Sequence, residues 1–110
     1  MKGVPEIFTS APCEWYRWEN DLRKNKRIRI LLSIDNSNFP LGTGPKPAEI
    51  WHNGYYPVAW TNQRYRMVYM NMGHNDMDYG GTNRALSQTF SSPGQNRFIE
   101  NCLLWLMDNR

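Results

Sequence analysis

The run "RIRILLSID" at 27–35 constrains the fold of this chain more than any other stretch. It opens with charged and apolar residues in alternation and then turns continuously apolar, the pattern of a β-strand buried on both faces. Such a strand needs cover above and below, and 110 residues leave little to provide it. The other strand candidates are short: "PVAW" at 57–60 and "RMVYMNMG" at 66–73, joined by "TNQRY" as a hairpin connection without the glycine of the commonest tight turns. One helix is clearly signalled. Ser92 reads as its N-cap, Pro93 as the first helical residue and Gln95 as a capping-box partner. From there Ile99, Cys102, Leu103, Leu106 and Met107 recur at helical spacing, predicting an amphipathic helix to about residue 108. A short helix is also read over 84–90. Residues 1–20 read as irregular, 36–47 as a loop rich in Asn, Ser, Gly and Pro, and "HNGYY" at 52–56 as a turn. Strands closed by one strong helix point to an α/β layer arrangement. Their small number resembles half of a doubly wound sheet.

Composition narrows the function classes. A hydrophobic fraction of 40% and a mean hydropathy of −0.73 allow only a modest core. Aromatics are dense at 14%, which fits either a packed aromatic core or a surface that stacks on flat ligands, and composition does not separate the two. The net charge of +3 comes largely from "RKNKRIRI" at 23–30, read as a solvated face, so no nucleic-acid partner is expected. No stretch approaches the ~20 apolar residues of a membrane span, so no membrane association is expected. "MKGVPEIFTS" has no apolar core of a signal peptide. Cys13 and Cys102 match no metal or redox spacing. Cys102, among apolar helix residues, is expected to be an inert buried thiol, and Cys13 an exposed loop residue; a disulfide between them is neither required nor ruled out.

Chemistry concentrates at "VYMNMGHNDMDYGG", 68–81. His74 follows a strand end, with Asp76 and Asp78 close behind. In open α/β sheets ligand sites gather beyond the carboxyl ends of strands. A histidine and a carboxylate there fit a general base with its orienting partner, or two metal ligands. The same residues also fit a strand end followed by loop acids. Asp35 ends its own strand as His74 ends another, so the two are candidates for one rim, although an Asp that starts a turn has the same local signature. Glu14, Trp15 and Tyr16 form a polar-aromatic cluster suited to a sugar face or to closing the core, with Trp15 read as core. His52 reads as a surface turn residue. "GTGPKP" lacks the Lys-Ser/Thr of a phosphate loop, and no nucleophile elbow is present.

Taken in order, "GVPEIF", "EWYRW", "IRILLSID", "YYPVAWTN", "RMVYMNMGH" and "FIENCLLWLMDN" resemble the C-terminal part of the trehalose-utilisation (ThuA-like) family, relatives of the class I glutamine amidotransferase fold. The likeness covers nearly the whole chain and is most specific in "PVAWT", "VYMNMGH" and "LLWL". It implies a partial three-layer α/β sandwich, flavodoxin-like or class I glutamine amidotransferase-like, lacking the N-terminal strands, with 1–110 as the C-terminal part of a single domain. It also implies a role in carbohydrate metabolism, on trehalose or a keto-glycoside, without glutaminase activity. His74-Asn75-Asp76 stands where the wider fold has a His-x-Glu, with a shorter acid. Cys13 replaces a usual Asp, and the hairpin before the Arg-Met-Val strand is shorter. The resemblance thus implies catalytic roles for His74 and Asp76, and sugar contacts from Glu14, Tyr16, Asp35 and Trp60. No cofactor and no metal are called for. The expected partners are a sugar ligand and, through an open sheet edge, a second copy of the chain. The alternatives are a non-catalytic sugar-binding or interaction module, and a fragment that folds only by oligomerising.

Overall fold

The computed structural model describes residues 1–13, 15–35, 54–73 and 88–108. They divide into two compact units, Tyr16–Asn71 and Met1–Trp15 with Met72–Arg110.

The first unit is a three-stranded sheet of β1 (Ile28–Ile34), β2 (Tyr56–Asn62) and β3 (Tyr65–Met70), in that spatial order. Both pairings are antiparallel. The apolar run therefore forms a strand, as its composition dictates, but it is not buried on both faces. Arg29 and Ser33 are exposed and the remaining β1 residues are half-buried, because β1 pairs only with β2 among the described residues. The deeply buried strand is β2, flanked on both sides, where Tyr56, Pro57, Val58 and Ala59 are all buried.

The β2–β3 hairpin closes around Gln63 and Arg64, tighter than the five-residue connection read from sequence. It manages without glycine because the Asn62 side-chain oxygen accepts the Arg64 N–H at 2.9 Å, a side-chain substitute for a turn hydrogen bond. The charge run is mostly solvated, as expected. A short 3₁₀ turn at Leu22–Lys24 precedes β1. Asp21 caps it through the Arg23 N–H and takes the Arg23 guanidinium in a two-pronged pair at 3.0 and 2.9 Å. Arg23 also lies 4.5 Å over the Tyr55 ring.

The second unit is built on α1, Pro93–Met107. Ser92 is its N-cap and accepts the Gln95 N–H, with Pro93 in the first turn as its fixed φ favours. Gln95 does not fold back to complete a capping box. Its Oε1 accepts the Ala11 N–H at 3.1 Å and its Nε2 donates to the Thr89 carbonyl at 2.6 Å. The Ser92 hydroxyl donates to the Thr9 carbonyl. The irregular N-terminal segment is thus fastened to the helix start by side chains. Gly94 is required there: a Cβ would stand 2.6 Å from two Phe8 side-chain atoms. The buried stripe of α1 is Gln95, Phe98 and Cys102, with Ile99 and Leu106 half-buried. Leu103 and Met107, expected on the buried face, are exposed. Of the short helix read over 84–90, residues 84–87 lie outside the described residues, and 88–90 are not helical. His52 also lies outside them, whereas Gly54, at φ +82°, makes the turn expected of "HNGYY".

Both cysteines are free. Burial pushes the Cys102 thiol up to about 11, as expected of an inert core thiol. Cys13, open to exposure by its loop position, is half-buried.

Two measurements test this account. Gln95→Leu leaves the buried Ala11 N–H without its acceptor and is expected to cost roughly 1–3 kcal/mol in chemical denaturation. A thiol reagent at mildly alkaline pH is expected to modify Cys13 in the native chain and to reach Cys102 only on unfolding. Two rapidly reacting thiols would contradict the packing.

Candidate functional site

β1 and β3 are each antiparallel to β2, so they run in the same direction and end on the same side of the sheet. Asp35 follows β1 there and is exposed. Asn71 follows β3 there, still tied to the sheet by its N–H donating to the Val58 carbonyl at 2.7 Å. β2 lies between the two strand ends, which are staggered along it: β1 ends opposite Tyr56 and β3 opposite Ala59. Asp35 thus ends its strand as expected, and the shared rim read for it with His74 falls on a residue outside the described ones.

One face of this sheet carries an aromatic cluster. Cross-strand register places Ile30, Trp60 and Tyr69 in one row. The Trp60 and Tyr69 rings stack at 5.2 Å and 14°. Trp18 meets both edge-on, at 6.2 Å from Trp60 and 4.8 Å from Tyr69. Its indole N–H donates to the Pro57 carbonyl at 3.3 Å, so it closes over the row as a clasp. The Trp60 indole N–H is buried with no partner among the described residues. Burial raises the Tyr69 phenol above its ordinary range, and the neighbouring Tyr16 phenol adds to the shift. Tyr16 itself is 45% exposed. Its carbonyl accepts the side-chain N–H of the buried Asn71 at 3.0 Å, fastening the segment before the sheet to the end of β3.

In the other unit, the Gly73 N–H points at Cys13 Sγ, 3.2 Å away. Cys13 and Gly73 immediately precede Glu14 and His74 in the chain. Glu14, His74, Asp76 and Asp78 lie outside the described residues. Of the predicted site residues, the structure thus places Tyr16 and Trp60 on the sheet unit with the aromatic cluster and Asp35 at the strand-end rim. Trp15, read as core, is half-buried. Among the described residues no group of three or more His, Cys, Asp or Glu is arranged to hold a metal, and no helix is long and apolar enough to cross a membrane.

Trp18, Tyr69 and Asn71 were not singled out from sequence. Counting back from the hairpin pair Asn62–Tyr65 on a regular ladder sets Trp60 opposite Met67. An irregularity between Thr61 and Asn62 sets it opposite Tyr69 instead. The Thr61 hydroxyl donates to the Met67 carbonyl at 2.6 Å within this irregular stretch. Only the "EWYRW" density hinted at Trp18.

No family model matches the chain, and no curated protein does. A solved structure of a protein described as ThuA-like, from Bacteroides uniformis ATCC 8492, is similar to it at 32% sequence identity and a TM-score of 0.74. The match covers 98% of this chain and 38% of that one. The resemblance carried by the motifs therefore extends to three dimensions, and the chain matches a ThuA-like protein as a part of it. The architecture common to both readings is α/β.

Gly73 bears directly on the exit from β3. Its φ is +93°, and a Cβ would lie 3.0 Å from Thr89 Oγ1 and 3.3 Å from Thr89 Cγ2. Gly73→Ala is expected to destabilise the chain by about 1–3 kcal/mol, from backbone strain and crowding together. A wild-type denaturation midpoint would show that the turn is not held as described.

Proposed function

We propose that this chain carries one rim of a sugar site in a ThuA-like protein, where His74 moves a proton on a keto-glycoside and Asp76 holds its imidazole in place. The fold assigned to the whole is the three-layer sandwich of the class I glutamine amidotransferase-like proteins, of which this chain contributes the C-terminal part. The observation that supports the reading best is the common direction of β1 and β3, which brings Asp35 and Asn71 to the same side of one sheet. Ligand sites of α/β sheets favour such strand ends. The Cys13–Gly73 contact adds support, since it joins the immediate neighbours of Glu14 and His74.

The chemistry follows from the residue types. A ketone on a sugar ring acidifies the C–H next to it. Imidazole, with an ordinary pKa of about 6.5, is half-ready at neutral pH to take that proton and to return it. A carboxylate on the other ring nitrogen fixes the tautomer and steadies the imidazolium. Asp35, Glu14 and Tyr16 are suited to sugar hydroxyls, and Trp60 to the apolar face of the ring.

The test is deuterium exchange. A 3-keto-glycoside is incubated with the protein in D₂O, and label at the carbon beside the ketone is followed by NMR. His74→Asn is expected to slow exchange about 100-fold or more, and Asp76→Asn by less. An unchanged rate in His74→Asn sinks the proposal.

A second reading, a binding module without turnover, rests on the aromatic density of the chain, 14%. Saturable quenching of tryptophan fluorescence by the sugar, with no deuterium uptake, would select it.

A further inference from the structure

We propose that the open side of α1 at Leu103, Leu104 and Met107 is the seat of the remaining elements of a ThuA-like fold, supplied by polypeptide equivalent to the part of such a protein that this chain does not span. The inference is independent of the reaction assigned to His74.

From 102 to 107 the helix reads Cys-Leu-Leu-Trp-Leu-Met. Six apolar residues in succession make its last turns apolar on every side, and a helix of that kind belongs in an interior. Here the interior reaches only part of the way round. Cys102 is buried and Leu106 half-buried, whereas Leu103, Leu104 and Met107 are 53%, 59% and 72% exposed. Leu103 and Met107, one turn apart, form a line beside the half-buried Ile99, and Leu104 continues the surface about 100° further round the helix. The charged residues on that side, Arg97 and Glu100, lie nearer the N-terminus and pair with each other at 2.6 Å, and Asp108 caps the helix one turn beyond Leu104. Between them the surface is apolar. An apolar line at this spacing is what the ridge of a neighbouring helix packs against.

The occupant follows from the match with the Bacteroides uniformis protein. It takes in 98% of this chain but only 38% of that one, so a helix like α1 sits there within a chain more than twice as long. In layered α/β folds a helix meets further elements beside it as well as beneath it. The additional chain is therefore the source of cover for the side that this chain leaves open.

The experiment compares two contexts. The matched part of the Bacteroides uniformis protein is replaced by residues 1–110 of this chain, and Leu103→Lys with Met107→Lys is introduced in that hybrid and in the chain by itself. In the chain alone, the paired substitution is expected to leave helical circular dichroism and the thermal midpoint unchanged, since both side chains already face solvent. In the hybrid it is expected to lower the midpoint by roughly 5–10 °C, because two buried apolar contacts become charged. Equal midpoints for the two hybrids would overturn the proposal, as would a hybrid that fails to fold. A chain that sediments alone as a dimer and becomes monomeric on substitution would overturn it in favour of a second copy on this face.

Discussion

The Gln95 side chain holds its unit together. It sits at the first turn of α1, almost wholly buried, with one end on the Ala11 N–H and the other on the Thr89 carbonyl. Residues 1–13 form no strand or helix of their own, so their backbone groups need partners elsewhere. Gln95 and the Ser92 hydroxyl provide them. An amide suits the task because it both donates and accepts; a carboxylate of the same length would lack the donor for Thr89. An asparagine nearly two turns further on does similar work: Asn101 exchanges hydrogen bonds with the Lys2 backbone at 3.2 and 3.1 Å. The helix thus organises a segment that has no regular structure.

In the sheet unit the corresponding part is played by the register. β2 is buried because it has a strand on each side, and its ladders to β1 and β3 are both interrupted. The irregularity beside Thr61 is what stacks Trp60 on Tyr69. The shift near Leu32 lies within the apolar run of β1. An extra residue in a strand re-aims the side chains that follow it. The aromatic cluster exists because of this departure from regular pairing. Trp18 then closes over it, and Asn71 ties the preceding segment to the end of β3.

What could be read from the sequence divides along these lines. α1 and its Ser92 cap rest on local spacing and capping chemistry and form as read, and its end, read at about 108, falls at Met107. β1 and the hairpin were also local, and they form. The burial of β1 was misjudged because a continuous apolar run reports what a strand is suited to, not how many neighbours it has. The partners of Gln95 lie at positions 11 and 89, and the capping-box pattern took precedence over a contact of long sequence separation. The stack of Trp60 on Tyr69 depends on a register shift that alternation alone cannot reveal. Tyr16, Trp60 and Asp35 were legible as aromatic or strand-end residues, and Asp35 does follow the end of β1.

The two misjudged burials have a common sense. β1 is more apolar than its half-buried surroundings require, and α1 is apolar over a wider arc than the stripe of Gln95, Phe98 and Cys102 covers. Apolar surface is favourable in an element only when something is packed on it, at roughly 25 cal/mol for each Å² removed from water. Left open, it brings no stability to the chain and invites association. In each case the local pattern matches a larger fold better than it matches the packing within these residues. The ThuA-like protein of Bacteroides uniformis, of which the match covers 38%, is such a fold. The excess apolar surface would then be the joint on which the further elements of one architecture pack.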